Sequence, residues 1–321
     1  MINSLKITPI ALPNHKSSCP LCKNVPHQMA WVIGSNTQNL MIVRGSAIID
    51  NILLESALRY CPICDFGYFY PAPPGDILQS FYRKGGGGGP LGTDETELSE
   101  LRNPYHQRDV NLLFQIASEC GLSLGEIRGK KILEIGPGLS RYMSAFIGLG
   151  CEYWANEIGE EISDFIERVF KAPVIRGPLE EIANRYDQGF DLIFTKDSLE
   201  HHANPAASIK KMNQLLRKNG WLIISVPNLN SYTFKNASIT HPYYAYPPHL
   251  NYFSKTALVN SLNEIGMGNI EARSFSFPSE IFYCMELCIK MGMVSPTFDA
   301  LGKLCDSDQN ERLLVVAQRS D

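Results

Sequence analysis

The chain has 321 residues, enough for about two domains at roughly 150 residues each. Hydrophobic residues make up 44% of it and charged residues 19%, a balance that excludes wholesale disorder and supplies a sizeable core. With 33 acidic residues against 29 basic ones the net charge is −4, the wrong sign for neutralising a phosphate backbone. No run of about 18 apolar residues is present to span a bilayer. Nine cysteines, behind an N-terminus without the charged-then-apolar plan of a secretion signal, predict reduced thiols and metal ligands in a cytoplasmic protein rather than disulfides.

Residues 1–84 are predicted to form an N-terminal zinc-binding module. Cys19-Pro-Leu-Cys22 and Cys61-Pro-Ile-Cys64 repeat one another. Each turn points two thiolates at one centre, and two such turns complete a tetrahedral site. Four thiolates leave no open position, so the Zn2+ is expected to be structural. Lys23 and Asp65 follow the second cysteine of each turn, where a left-handed backbone is needed. Five consecutive glycines at 85–89 then predict a flexible linker over 85–96.

From 97 to 321 short β-rich runs alternate with amphipathic helical stretches, the pattern of a parallel α/β sheet. Helix is predicted over 95–121, broken at Pro104. Strands follow at 131–135, 152–156, 173–176, 191–195 and 221–227. The intervening helices run to about 149, over 160–171, and over 205–218 with Asn219-Gly220 as the stop. Ser254 caps a further helix that ends at Gly266. The last strands are predicted at 269–277 and 312–320, with a helix at 281–293 between them. Cys284 and Cys288 on that helix read as core thiols.

The strongest chemical signal lies in Lys130–Ser144. Glu134 near a strand end, then Gly136 and Gly138, then a helix start, let the backbone pass close to a ligand. A dinucleotide fingerprint would put glycine at 141, where Arg141 stands. Pro137 between the glycines also suits a ligand with no pyrophosphate, so the turn favours S-adenosylmethionine (SAM) over NAD. A strand-to-helix turn with no ligand is the alternative for this motif alone. Glu157, ending the next strand, can accept hydrogen bonds from both hydroxyls of a ribose.

The pattern resembles the first motif of class I SAM-dependent methyltransferases, with Ser140 in the place of its last glycine. The block from Phe190 to Asn228 is similar to the fourth-strand, helix and fifth-strand segment of that family. The resemblance covers roughly residues 105–321. It implies a Rossmann-like seven-stranded sheet with the last strand antiparallel, preceded by a small zinc-binding domain. It further implies Glu134, Gly136 and Gly138 at the methionine and ribose end of SAM, and Glu157 on the ribose. Leu179 would pack on the adenine in place of the acidic residue the family often has, with Glu180 as a second candidate. Lys196 or Ser198 would touch SAM through the backbone.

A zinc module, then FGYFYPAPPGDILQSFY, then this domain resembles the zinc-containing methyltransferase group that includes sugar-nucleotide C-methyltransferases. In that group the N-terminal module helps close the cleft, and aromatic residues near Tyr82 face it. Pro248–Ser254 resembles a Glu-His-Leu-x-Tyr-Phe-Ser segment whose histidine is the base, which implies that role for His249. Pro248 replaces the orienting glutamate. His201, in Glu200-His201-His202, is the second candidate base or else organises its loop. The ring-rich stretch 241–249 reads as a substrate wall or as a surface loop packed inward. Tyr105 and Arg108 sit on a helix that either closes over SAM or merely packs.

The expected function is methyl transfer from SAM to a small-molecule biosynthetic acceptor, with no nucleic acid and no membrane as partner. The alternatives are an RNA methyltransferase gripping its substrate with the zinc module, and a non-catalytic SAM-binding scaffold. Between residues 15 and 70, Lys16, Lys23, Arg44 and Arg59 stand against Asp50, Glu55 and Asp65, which is no basic stripe.

Overall fold

The computed structural model describes residues 6–11, 18–23, 29–34, 41–42, 44–49, 52–84, 91–101, 104–232, 234, 249–278, 280 and 308–320. The chain begins with an antiparallel sheet of β1 (Lys6–Ala11), β2 (Met29–Gly34), β3 (Met41–Ile42), β4 (Arg44–Ile49), β5 (Ile52–Cys61) and β6 (Phe66–Tyr70). Helices α1 (Gly75–Arg83), α2 (Asp94–Leu101), α3 (Pro104–Glu119) and α4 (Leu124–Ile127) lead into the second sheet. Residue 94 already starts α2, inside the stretch read as a linker, while residues 85–90 lie outside the described residues.

The second sheet is doubly wound. It is built from β7 (Lys131–Ile135), α5 (Arg141–Gly148), β8 (Glu152–Glu157), α6 (Glu160–Phe165), β9 (Val174–Arg176), β10 (Phe190–Lys196), α7 (Pro205–Leu215) and β11 (Leu216–Pro227). After β12 (Asn251–Phe253) come α8 (Lys255–Glu264), β13 (Met267–Phe275) and β14 (Arg312–Arg319). The strand order is β13-β14-β11-β10-β7-β8-β9, and only β14 runs antiparallel to its neighbours. This is the Rossmann-like architecture that the motifs imply.

Burial on both faces explains why the central strands are continuous apolar runs rather than alternating ones. Leu133 and Ile135 pack with Ile209 and Met212 of α7 and Leu258 of α8. On the opposite face Ile132 packs with Leu113 of α3 and Met143 and Phe146 of α5. Among the described residues no helix is long and apolar enough to cross a membrane.

The two sheets share more than a tether. β12 leaves the methyltransferase-like half and pairs antiparallel with β6, Tyr252 opposite Gly67 and Phe253 opposite Phe66. A side chain at Gly67 would put its Cβ 3.1 Å from the Tyr252 Cβ, so glycine lets the strands close. Phe253, Phe66, Tyr68 and the cysteine knuckles then join the same apolar cluster as Leu133 and Leu258.

Three local expectations are corrected. The helix expected over 205–218 stops at Leu215, because Leu216 is fully buried and pairs with Phe190. The pairing then slips by a bulge that places Asn219 at φ 58°. The helix expected over 160–171 is present to Phe170, but it is α-helical only to Phe165 and continues as a π-helix over Ile166–Phe170. The strand predicted at 269–277 runs from Met267 to Phe275. The helix predicted at 281–293, with Cys284 and Cys288, and the loop 241–248 lie outside the described residues.

Phe253→Ala should destabilise the protein by about 3–5 kcal/mol, the usual cost of emptying a filled aromatic site. The Phe253 side chain is fully buried, with its ring centroid 5.0 Å from that of Phe66. Urea unfolding followed by tryptophan fluorescence measures the loss.

Candidate active site

Parallel strands deliver their carboxyl ends to one edge of a sheet, and the loops leaving that edge form a crevice. Here the crevice is a cleft of about 990 Å³. Glu134, Gly136, Gly138, Glu157, Leu179, Lys196, His201 and His249 all line it, so the structure brings together every residue the sequence proposes for the donor site and the base.

The bend after β7 has a steric logic. Gly136 and Gly138 have φ of 60° and 52°, which disfavours any side chain. A Cβ at Gly136 would fall 2.2 Å from the Ser198 hydroxyl oxygen, while one at Gly138 would meet nothing within 4 Å. The first glycine therefore permits packing against the loop after β10, and the second leaves room on the cleft side. Ser140, in place of a third glycine, caps α5, its hydroxyl accepting from the Tyr142 N–H at 3.1 Å.

Two carboxylates flank this bend. One oxygen of Glu157 accepts from the Ile158 and Gly159 N–H groups, both at 2.8 Å, and the other accepts from the Gly138 N–H at 3.1 Å. These bonds hold the carboxylate rigidly, yet burial raises its pKa in spite of them. Four lone-pair sites on the two oxygens leave capacity for ligand hydroxyls. Glu134 is 2% exposed and accepts from the Tyr153 hydroxyl at 2.7 Å. Burial pushes its carboxyl up to about 7.

Around Lys196 the cleft has a charged wall whose other members the sequence does not announce. Lys196 pairs with Asp197, which also pairs with Arg312, and Arg312 pairs with Glu280. Burial, then the neighbouring Arg312, pushes the Lys196 ammonium down to about 7. Asp197 directly follows β10, but Arg312 and Glu280 arrive from distant parts of the chain, and no local pattern announces them.

The third wall carries the histidines. His202 is held by hydroxyls, Nδ1 at 2.8 Å from Ser208 and Nε2 at 3.3 Å from Ser198. Glu180 joins the same network through Ser208 and His202; burial opposes its ionisation, but these partners hold it down to about 2. Both contacts use the same Glu180 oxygen, and the residue also lines the cleft. His201 and His249 line the cleft with their rings tilted at 56° and ring centroids 4.9 Å apart. Tyr82 of α1 meets His201 at 6.0 Å, so the N-terminal region does supply an aromatic wall.

Beyond the cleft, the four cysteine sulfurs lie within 4.8 Å of one another. Cys19–Cys64 and Cys22–Cys61 are separated by 3.7 and 3.8 Å. Zn–S bonds of about 2.3 Å at tetrahedral angles place sulfurs about 3.8 Å apart, whereas a disulfide needs about 2.05 Å. The donor set therefore fits a zinc ion. Lys23 and Asp65 adopt the left-handed backbone the turns require, at φ 59° and 54°. Lys23 Nζ donates to Asn204 Oδ1 at 3.0 Å, and Asn204 both caps α7 and lines the cleft.

The fold and this edge-on crevice define a protein of the doubly wound, ligand-binding class. Residues 106–272, just over half of the chain, match the family described as "Methyltransferase domain", and the chain belongs to that family. It is 23% identical over 124 residues to the ubiquinone biosynthesis O-methyltransferase of Bordetella avium, covering 37% of this chain and 52% of that protein. It is 27% identical over 144 residues to the Acinetobacter baylyi protein of the same name, covering 42% and 58%. The chain thus spans about half the length of the curated relatives it matches. Among solved structures it is similar to a SAM-dependent methyltransferase, possible histamine N-methyltransferase, of Thermotoga maritima. That match has 16% identity, covers 75% of this chain and 98% of that one, and has a TM-score of 0.49.

Glu134→Gln tests the burial of that carboxyl. A carboxyl held above its unfolded value of 4.5 destabilises the fold above its folded pKa of about 7, and that cost fades as pH falls toward 4.5. The glutamine variant should therefore gain thermal stability relative to the parent at pH 8 and lose that gain at pH 5. Paired melting curves at the two pH values read the difference.

Proposed function

We propose that the protein is a SAM-dependent methyltransferase that acts on a small-molecule acceptor and uses His249 as general base. The observation that carries this reading is the junction of the Gly136–Gly138 bend with the Glu157 carboxylate at the mouth of one cleft. Glu157 would hold the ribose hydroxyls, the bend would admit the amino-acid end beside Glu134, and Leu179 would pack on the adenine. When bound, the donor supplies a methyl group on a sulfonium: the carbon–sulfur bond breaks, its electron pair staying on sulfur, as the acceptor–carbon bond forms. Alignment and exclusion of water then contribute much of the rate.

The chain's own residues supply the rest. Tyr82, His201 and His249 wall the cleft next to the end of β10, where the acceptor would lie. His249 would take the proton of the attacking acceptor group, a task for which imidazole is matched near neutral pH. An acceptor of small size accords with the printed name of the relatives and with the absence of a basic stripe in the N-terminal module. The zinc-containing group with sugar C-methyltransferases remains the finer resemblance, although Pro248 lacks that group's glutamate. Cys19, Cys22, Cys61 and Cys64 would hold a structural Zn2+ that keeps the knuckles, and through Lys23 the Asn204 edge of the cleft, in place.

Calorimetry with SAM and its demethylated product is the direct test. Two charge-assisted hydrogen bonds are worth roughly 3 kcal/mol, so Glu157→Ala should weaken binding about 100-fold; no binding by the parent protein would end the enzymatic reading. His249→Ala should lower turnover of labelled SAM with metabolite extract by about 100-fold or more while SAM affinity holds. Label transferred to RNA instead would overturn the small-molecule acceptor. Cys61→Ser should release the zinc and lower turnover together with thermal stability, and elemental analysis that finds no metal in the parent would remove the zinc assignment.

A further inference from the structure

The carboxylate of Glu200 is out of place for a loop residue. It is 1% exposed, and among the described residues neither of its oxygens has a hydrogen-bond partner. Burying a carboxylate without donors is costly, and such groups persist where something else holds them there. What surrounds it is a pair of imidazoles: one oxygen of Glu200 and one ring nitrogen each of His201 and His249 all lie within 4.8 Å of one another. The Glu200 Oε1 to His201 Nε2 separation is 3.9 Å.

The backbone fixes this meeting. The Glu200 carbonyl accepts from the Leu250 N–H at 2.9 Å and from Asn251 Nδ2 at 3.2 Å. Asn251 Nδ2 also donates to the His202 carbonyl at 2.7 Å. The segment that carries His249 is therefore clasped to the segment that carries Glu200, although 49 positions separate the two residues. The residue just before His249 is Pro248, which has no carboxyl to offer.

We infer that Glu200 is the positioning residue for His249, its carboxylate accepting from one imidazole N–H and so aiming the other nitrogen at the acceptor. This rests on the reading of His249 as base. The proton of the attacking group passes to the outward nitrogen of His249, the inward N–H stays on the ring and donates to Glu200, and the resulting imidazolium faces a carboxylate instead of apolar packing. The arrangement follows the general logic of a base oriented by a third group. Other groups act on the same carboxyl. Burial pushes Glu200 up to about 8 and Lys196 opposes the rise. Tyr82 and Tyr252 are themselves held protonated by burial and by the Glu200 charge. An imidazolium beside Glu200 would bring its carboxyl back down.

The test is Glu200→Gln in the full chain, with the seven histidines labelled and His249 assigned by its loss in His249→Ala. Expected are a fall in kcat of about 100-fold, acceptor KM and SAM affinity within about threefold, and a His249 imidazole pKa lowered by about one unit or more. The sign follows from removing an anion that favours the imidazolium, and the acid limb of the kcat profile should move to lower pH with it. Glu200→Asp, which keeps the charge, should restore part of both readouts and serves if the glutamine variant does not fold. A His249 titration that does not move in a folded Glu200→Gln protein overturns the inference. So does a cobalt-loaded protein with a second, sulfur-free absorption band that this substitution abolishes, since the carboxylate would then be a metal ligand. If His249→Ala keeps full turnover the base reading itself falls; if it is inactive while the titration is unmoved in Glu200→Gln, only the positioning role falls.

Discussion

Three buried carboxylates meet at the carboxyl edge of one sheet, and the cleft is organised around the cost of keeping them there. Glu134 lies in β7, Glu157 ends β8, and Glu200 follows β10 by one short turn. Burial raises the pKa of all three, to about 7 for Glu134 and about 8 for Glu200. Each meets a different degree of compensation: three backbone N–H groups for Glu157, one tyrosine hydroxyl for Glu134, and two nearby imidazoles for Glu200.

The N-terminal sheet is part of the same device rather than an appendage. β12, taken from between β11 and α8, closes that sheet against β6 and carries the His249 segment with it. Besides apolar packing, two hydrogen bonds among the described residues tie the cysteine knuckles to the second half of the chain. Lys23 reaches Asn204 on the cleft edge, and Asp65 accepts from Asn230 Nδ2 just after β11 at 3.2 Å. Both contacts come from the residues forced into left-handed backbone by the turns, so the local strain of the knuckles also aims the side chains that couple them to the cleft.

Much of the fold is legible in sequence because its signals are local. The strand β7, the Gly136–Gly138 bend and the Ser254 cap occupy contiguous residues whose spacing dictates their geometry. The end of α7 is not legible in this way: Asn219-Gly220 is a plausible stop, but the buried pairing of Leu216 with Phe190 takes the chain out of helix earlier. Ser140 looks like a small substitute for glycine and turns out to be a helix cap.

The amino-acid order by itself determined the alternation of strands and helices, the glycine bend after β7 and the matched cysteine turns, since each depends on residues within a few positions of one another. The tertiary structure alone decided that Glu200 faces His249, that Arg312 and Glu280 wall the cleft beside Lys196, and that β12 belongs to the N-terminal sheet. Those encounters are set by strand order and long-range burial, and no spacing along the chain encodes which distant segments a closed core will bring within hydrogen-bond reach.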